Sequence, residues 1–80
     1  MPSLADFPDG SRLRVVSVAG EPLLRERLVE LGFTRGTLVD LRGHAPMGGP
    51  IEVHLRGGLL AVRRDEAQCV EVAVETGGVR

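Results

Sequence analysis

The stretch Leu28-Val29-Glu30-Leu31-Gly32-Phe33-Thr34-Arg35-Gly36-Thr37 carries the end of a helix through a glycine stop into a strand, and its reading decides the fold. Leu24, Leu28 and Leu31 recur at i, i+4 and i+7, which sets them on one helical stripe. Gly32 follows at once as a residue free to take positive φ, so the helix ends there. Phe33, just beyond, stands where an apolar side chain packs back on the last turn in a Schellman-type cap. Gly36 then permits the reversal into Thr37-Leu38-Val39-Asp40-Leu41. From this stretch alone an ordinary αβ connection reads the same way, and the rest of the chain has to narrow the choice.

Eighty residues, 42% of them hydrophobic, make one domain with a small core, since a chain this short buries only about 60% of its unfolded surface. A substrate-enclosing enzyme has no room here. Ten basic and eleven acidic residues are interspersed, for a formal net charge of −1, so no sustained positive field draws in phosphate backbones. Two Phe without Trp or Tyr supply neither stacking platforms for single strands nor an aromatic groove for polyproline ligands. Cys69 is the only cysteine, which excludes an intramolecular disulfide and fits a reducing compartment, the cytoplasm by default. The N-terminal residues lack a basic region followed by an apolar one, and no apolar run is long enough to span a bilayer.

Working outward toward the N-terminus, Pro22 opens the helix where its missing N–H is no loss, with Glu21 at the positive end of the dipole. The helix is expected over about Pro22 to Leu31, with Glu21/Arg25 and Arg27/Glu30 pairing on its solvated face. Before it, Arg12-Leu13-Arg14-Val15-Val16-Ser17-Val18 is a strand whose alternation breaks at Val15-Val16, the signature of a bulge. Residues Pro2 to Gly10 form a lead-in in which Leu4 and Phe7 can anchor under the sheet.

Toward the C-terminus, the second strand sets Thr37, Val39 and Leu41 on one face and Leu38, Asp40 and Arg42 on the other. Gly43-His44-Ala45-Pro46-Met47-Gly48-Gly49-Pro50, with two prolines and three glycines, is expected to be an irregular exposed loop. Ile51, Val53 and Leu55 then face in from a third strand, with Glu52, His54 and Arg56 facing out. Gly57-Gly58 is expected as a type I′ turn, pairing Leu55 with Leu60, Val53 with Val62 and Glu52 with Arg63. Asp65 is expected to cap one helical turn over 63–68, and Cys69-Val70-Glu71-Val72-Ala73-Val74 to form the last strand, with Val70, Val72 and Val74 inward. Glu75 to Arg80 has nothing to bury and is expected to be a flexible tail. The domain thus covers residues 1–80, with a core over about 4–74.

No chemistry emerges from the motifs. His44 and His54 are ten residues apart, with no cysteine or carboxylate at a metal-ligand spacing around them. Each reads better as a loop or exposed strand residue than as a ligand. Cys69 reads as a small hydrophobe with no base beside it. Gly48-Gly49 and Gly57-Gly58 are turn glycines without the following helix that anion capture uses. The sequence therefore implies no catalytic residue, no metal site and no cofactor, which leaves a binding module.

Three motifs in order, Leu28-x-x-Leu31-Gly32-Phe33-x-x-Gly36, Ala45-Pro46-Met47-Gly48-Gly49-Pro50 and Leu60-Ala61-Val62-Arg63-Arg64-Asp65-Glu66-Ala67, resemble the FeoA family of bacterial ferrous iron uptake. The resemblance implies a mainly β fold, a small five-stranded SH3-like β-barrel with one inserted α-helix. It implies a cytoplasmic accessory role beside the membrane GTPase transporter FeoB, with iron as the transporter's cargo. An alternative is a stand-alone relative of the C-terminal SH3-like domain of DtxR-type metal-dependent repressors, which binds a protein or peptide. An RNA-binding small barrel would need a basic face that the balanced charge does not supply. Two residues depart from the family pattern: Leu38, where a polar residue is expected, and Val62 in place of leucine.

Val29, Leu38 and Met47 are the candidate protein-interaction residues, expected to form one apolar patch. Each is apolar where its element's periodicity points outward or where the loop is exposed. Scattered apolar residues are also normal on folded surfaces.

Overall fold

A computed structural model describes residues 2–75. Its five strands are β1 (Arg12–Val18), β2 (Leu38–His44), β3 (Ile51–Leu55), β4 (Gly58–Val62) and β5 (Val70–Val74). Two helices complete it, α1 (Pro22–Glu30) between β1 and β2 and the single turn α2 (Arg64–Ala67) between β4 and β5. All pairings are antiparallel, in the order β4-β3-β2-β1-β5.

The expected closed barrel is only partly closed. Among the described residues no ladder joins β4 to β5, and the helices fill that side instead. Near the start of α1, a Cβ on Gly20 would lie 3.1 Å from Cys69 Sγ and 3.5 Å from Leu24 Cδ2, so the helix begins against the start of β5. Midway, Arg27 Nη1 reaches Glu66 Oε2 of α2 at 3.1 Å. At its end, Gly32 abuts Leu55 and Arg56, where β3 turns into β4. The helix therefore runs across the open side, and Leu28 and Phe33 reach into the core with no exposed surface. Burial of each contributes about 2–3 kcal/mol.

The cap is the Schellman motif read from the sequence. Phe33 N–H donates to Leu28 C=O at 3.1 Å and Gly32 N–H to Val29 C=O at 3.0 Å, with Gly32 at φ +118°. Leu31, expected on the buried stripe, is instead partly exposed, because the chain leaves the helix there and Phe33 takes the core position. The two charge pairs expected within the helix do not form among the described residues. Arg27 goes to Glu66, and Arg25 donates to the Gly20 carbonyl at 3.2 Å. A buried carboxylate and a free carbonyl are stronger draws than exposed partners one turn away.

β1 buries Leu13 and Val15, and its register against β5 shifts between Val15 and Ser17, so the suspected bulge is real. β5 buries Val70 and Val72, but Val74, expected inward, is 58% exposed where the strand runs past the core. Glu75, assigned to the tail, donates its N–H to Arg12 C=O at 3.0 Å and takes Arg14 Nε at 2.8 Å. The remaining tail residues, 76–80, lie outside the described residues. Leu4 anchors the lead-in, fully buried in a 3-10 turn closed by Ser3 and Asp6.

Two turns differ from their sequence reading. The β3–β4 hairpin turns at Arg56-Gly57, with φ +52° and +80°, so Leu55 pairs with Gly58, Val53 with Leu60 and Ile51 with Val62. The register is two residues off the expectation, an even shift, which keeps every side chain on its expected face. The Glu52/Arg63 pair is lost, and Glu52 faces Ala61. In α2 the cap lies at Arg63, whose N–H donates to Glu66 Oε1 at 3.0 Å, and not at Asp65.

Candidate functional site

Val29 and Leu38 lie toward the same end of the molecule, each 41% exposed. Arg56 organises that end. From the hairpin turn its guanidinium donates to Thr34 Oγ1 at 2.7 Å, Thr37 Oγ1 at 3.3 Å and Gly32 C=O at 3.4 Å. Thr34 to Thr37 is itself a tight turn, closed by Thr37 N–H on Thr34 C=O at 3.0 Å with Gly36 at φ +88°. Val29 in the last turn of α1 and Leu38 at the start of β2 thus flank one rigid corner. Arg56, expected as an outward strand residue, sits in the turn with φ +52°, and no local signal marks it, since arginine is not a residue that type I′ turns favour.

Met47 does not join them, so the expected single patch of Val29, Leu38 and Met47 does not form. β2 rises about 3.3 Å per residue, so the six steps from Leu38 to His44 carry the chain to the opposite end, where β2 turns into β3. Gly43 and His44, expected in an irregular loop, belong to β2 and pair with Glu52 and Ile51. Pro46 to Gly49 then forms a second type I′ turn, with Met47 at φ +60°, Gly48 at φ +74° and Gly49 N–H on Pro46 C=O at 3.2 Å. The loop is regular because Gly48 supplies one left-handed residue and Met47 accepts the other. Met47 is as exposed as an isolated residue, at 103%. A left-handed conformation is uncommon for a bulky side chain and stores strain.

Other apolar exposure includes Leu23 on α1 at 81% and Leu59 on β4 at 63%, neither singled out from the sequence. Leu23 lies off the Leu24, Leu28 stripe, which was the signal for it. His44 Nδ1 meets Asp9 Oδ1 at 2.6 Å and His54 Nδ1 lies 3.8 Å from Asp40, each a surface pairing. Asp40 is held below the usual carboxylate range, first by its hydrogen bond from Arg12 at 2.8 Å and then by the Arg12 charge, against a partial burial that works the other way. Cys69 is half-buried against the core, with Sγ on Asp65 C=O at 3.6 Å. Among the described residues no three His, Cys, Asp or Glu side chains cluster to hold a metal ion.

Residues 3–74 match the family model for the FeoA domain. The chain belongs to the FeoA family. The solution structure of FeoA from Chlorobium tepidum is similar at TM-score 0.85 and 41% identity, covering 98% of this chain and 74% of that one. The crystal structure of Stenotrophomonas maltophilia FeoA complexed with zinc, a prokaryotic SH3 domain protein, gives TM-score 0.79 at 30% identity, covering 91% of each chain. A Porphyromonas gingivalis Fe(2+) transport protein A/Fe(2+) transporter FeoB fusion protein is 28% identical over 69 residues, 86% of this chain and 8% of that protein. A manganese-dependent transcriptional repressor matches at TM-score 0.82 but 16% identity, covering 94% of this chain and 41% of that one, a likeness of fold alone. Family and structural likeness together give this chain an SH3-like FeoA domain. Among the described residues no helix is long and apolar enough to cross a membrane.

Proposed function

We propose that this chain acts in the cytoplasm as a protein-interaction module, about residues 4–74 working as one domain, that binds or regulates a FeoB-type membrane GTPase transporter. The observation that carries the reading is the fusion relative, in which a FeoA segment and a FeoB transporter share one polypeptide. Covalent fusion raises the effective concentration of two modules that work together, and a separate small domain must replace that advantage with a surface. Val29 and Leu38 at the Arg56 corner and Met47 at the far turn are the proposed contact residues, exposed apolar side chains on rigid supports. Iron is the transporter's cargo in this reading, and the module itself takes no cofactor. Capture of the transporter's cytosolic domain by the purified chain, with and without guanine nucleotide, tests it. Retention above a lysozyme-coated control supports the proposal, and no retention in either nucleotide state sinks it.

A further inference from the structure

A groove of about 430 Å3 runs between the Pro46–Gly49 turn and α2, lined by Gly48, Gly49 and Pro50 on one wall and Arg63, Arg64, Asp65 and Gln68 on the other. Arg64 is half-buried there, and its guanidinium meets no acceptor among the described residues. Its Nε is shielded from solvent and has no partner among the described residues. A donor in that position calls for an explanation, since nine in ten or so buried polar atoms are paired. Two neighbouring carboxylates bond elsewhere. Glu66 takes Arg63 N–H on one oxygen and Arg27 on the other, and Asp65 Oδ1 takes Glu66 N–H at 3.0 Å. The shielded Nε is out of reach of an outside ligand, so what the groove offers is the remainder of a half-buried guanidinium for which the described residues supply no acceptor.

We propose that this groove binds a carboxylate on an extended, partly apolar segment of a protein partner, with Arg64 receiving the carboxylate. The proposal rests on the accessory-module reading above and names the chemistry of the segment that module takes. Charge favours an acid, with Arg63 and Arg64 set against Asp65 alone. The opposite wall is glycine and proline, which offers apolar contact and no side-chain donor, so a free phosphate would be held from the Arg63 and Arg64 side alone. Met47 stands fully exposed at the same turn, beside Gly48, placed to meet an apolar neighbour of the acid. A second groove, of about 350 Å3, shares Pro50 on the other side of the turn but is lined by Glu52, which repels an acidic segment.

The test is a titration of the isotopically labelled full chain, followed by amide and Arg Nε resonances. The probe is the capped peptide acetyl-Ala-Leu-Glu-Leu-Ala-amide, compared with its glutamine counterpart. The glutamate peptide is expected to move the signals of Gly48, Gly49, Gln68 and Arg64 Nε. Its affinity is expected to exceed the glutamine peptide's by about tenfold or more, the worth of one charge-assisted pair. Arg64→Gln, with its denaturation midpoint checked, is expected to erase that difference, while Arg42→Gln on β2 leaves it intact. Equal binding of the two peptides, shifts centred elsewhere, or inorganic phosphate moving the same signals as strongly would each overturn the proposal. Transporter capture separates the two readings. If Arg64→Gln captures the transporter like wild type while the peptides fail, the groove is wrong and the accessory role stands. If the peptides bind as expected but no transporter is captured, the accessory role is wrong.

Discussion

Arg56 Nη2 donates to Thr34 Oγ1 across 2.7 Å, joining the tip of the β3–β4 hairpin to the loop that leaves α1. The two residues are 22 apart in sequence, and neither belongs to a helix or strand. Their bond sits above Gly32, where an added Cβ would approach Leu55 Cδ1 to 3.1 Å and Arg56 Cδ to 3.3 Å. The helix cap, the tight turn into β2 and the hairpin are thereby one packed corner. The surface that carries Val29 and Leu38 is as rigid as that corner.

Gly32→Ala is expected to destabilise the chain by about 1 kcal/mol or more, because alanine resists φ +118° and its methyl presses on Leu55. Denaturant unfolding measures it. A midpoint equal to wild type would mean that the corner relaxes around the methyl group and is not rigid.

The two hairpin glycines are expected to respond with opposite sign. Gly57 holds φ +80° in the type I′ turn, so Gly57→Ala should lower stability by about 1 kcal/mol. Gly58 has strand geometry and open space around its Cα, so Gly58→Ala should be neutral or stabilise by up to about 1 kcal/mol through the unfolded chain. Equal losses at both positions would restore the Gly57-Gly58 turn and refute the register found here.

Acid should weaken the sheet through Asp40. Folding lowers its pKa, chiefly through the hydrogen bond and charge of Arg12, so the folded state binds its proton less readily than the unfolded state. The stability it contributes is fully present above the ordinary carboxylate range and is lost as pH falls through the lowered folded value. Arg12 stays charged throughout, so the effect is one-sided. Thermal midpoints measured between neutral and strongly acidic pH are expected to fall less for Asp40→Asn than for wild type. Parallel curves would mean that this exposed pair contributes nothing, as many surface pairs do.

How much of this was legible in the sequence depends on the range of the interaction concerned. The Schellman cap, the Val15-Val16 bulge and the alternation of β2 and β3 were readable because each is set by neighbours a few residues apart. The hairpin register was not. Gly57-Gly58 is the favoured type I′ sequence, and Arg56-Gly57 sets a bulky residue at φ +52°, a cost offset by Thr34, Thr37 and Gly32, which hold Arg56 from another part of the chain. Glu66 and Arg27 paired across two helices for the same reason, against a local pattern that kept Arg27 within its own helix. Among the candidate site residues, exposure could be read from periodicity, but the distance of Met47 from Leu38 needed the path of β2. Arg64 could be seen as a charge, and only the three-dimensional structure leaves its Nε without a partner among the described residues.

The contact residues can be separated from the fold by substitutions that leave one unchanged while removing the other. Val29→Ser and Leu38→Lys are expected to keep the denaturation midpoint within about 0.5 kcal/mol of wild type, since both side chains are substantially exposed. Met47→Gly is more telling, because glycine relieves the φ +60° conformation and the lost side chain touches little of the core. It should leave stability unchanged or raise it by up to about 1 kcal/mol. If Met47 is held in its strained conformation for a partner, the same variant should weaken transporter capture, so that stability and binding move apart as strain at a functional site requires. A variant that loses stability would show that the turn needs the methionine for folding. One that binds as wild type would make its exposure incidental, and the partner surface would then be sought at Val29 and Leu38 alone.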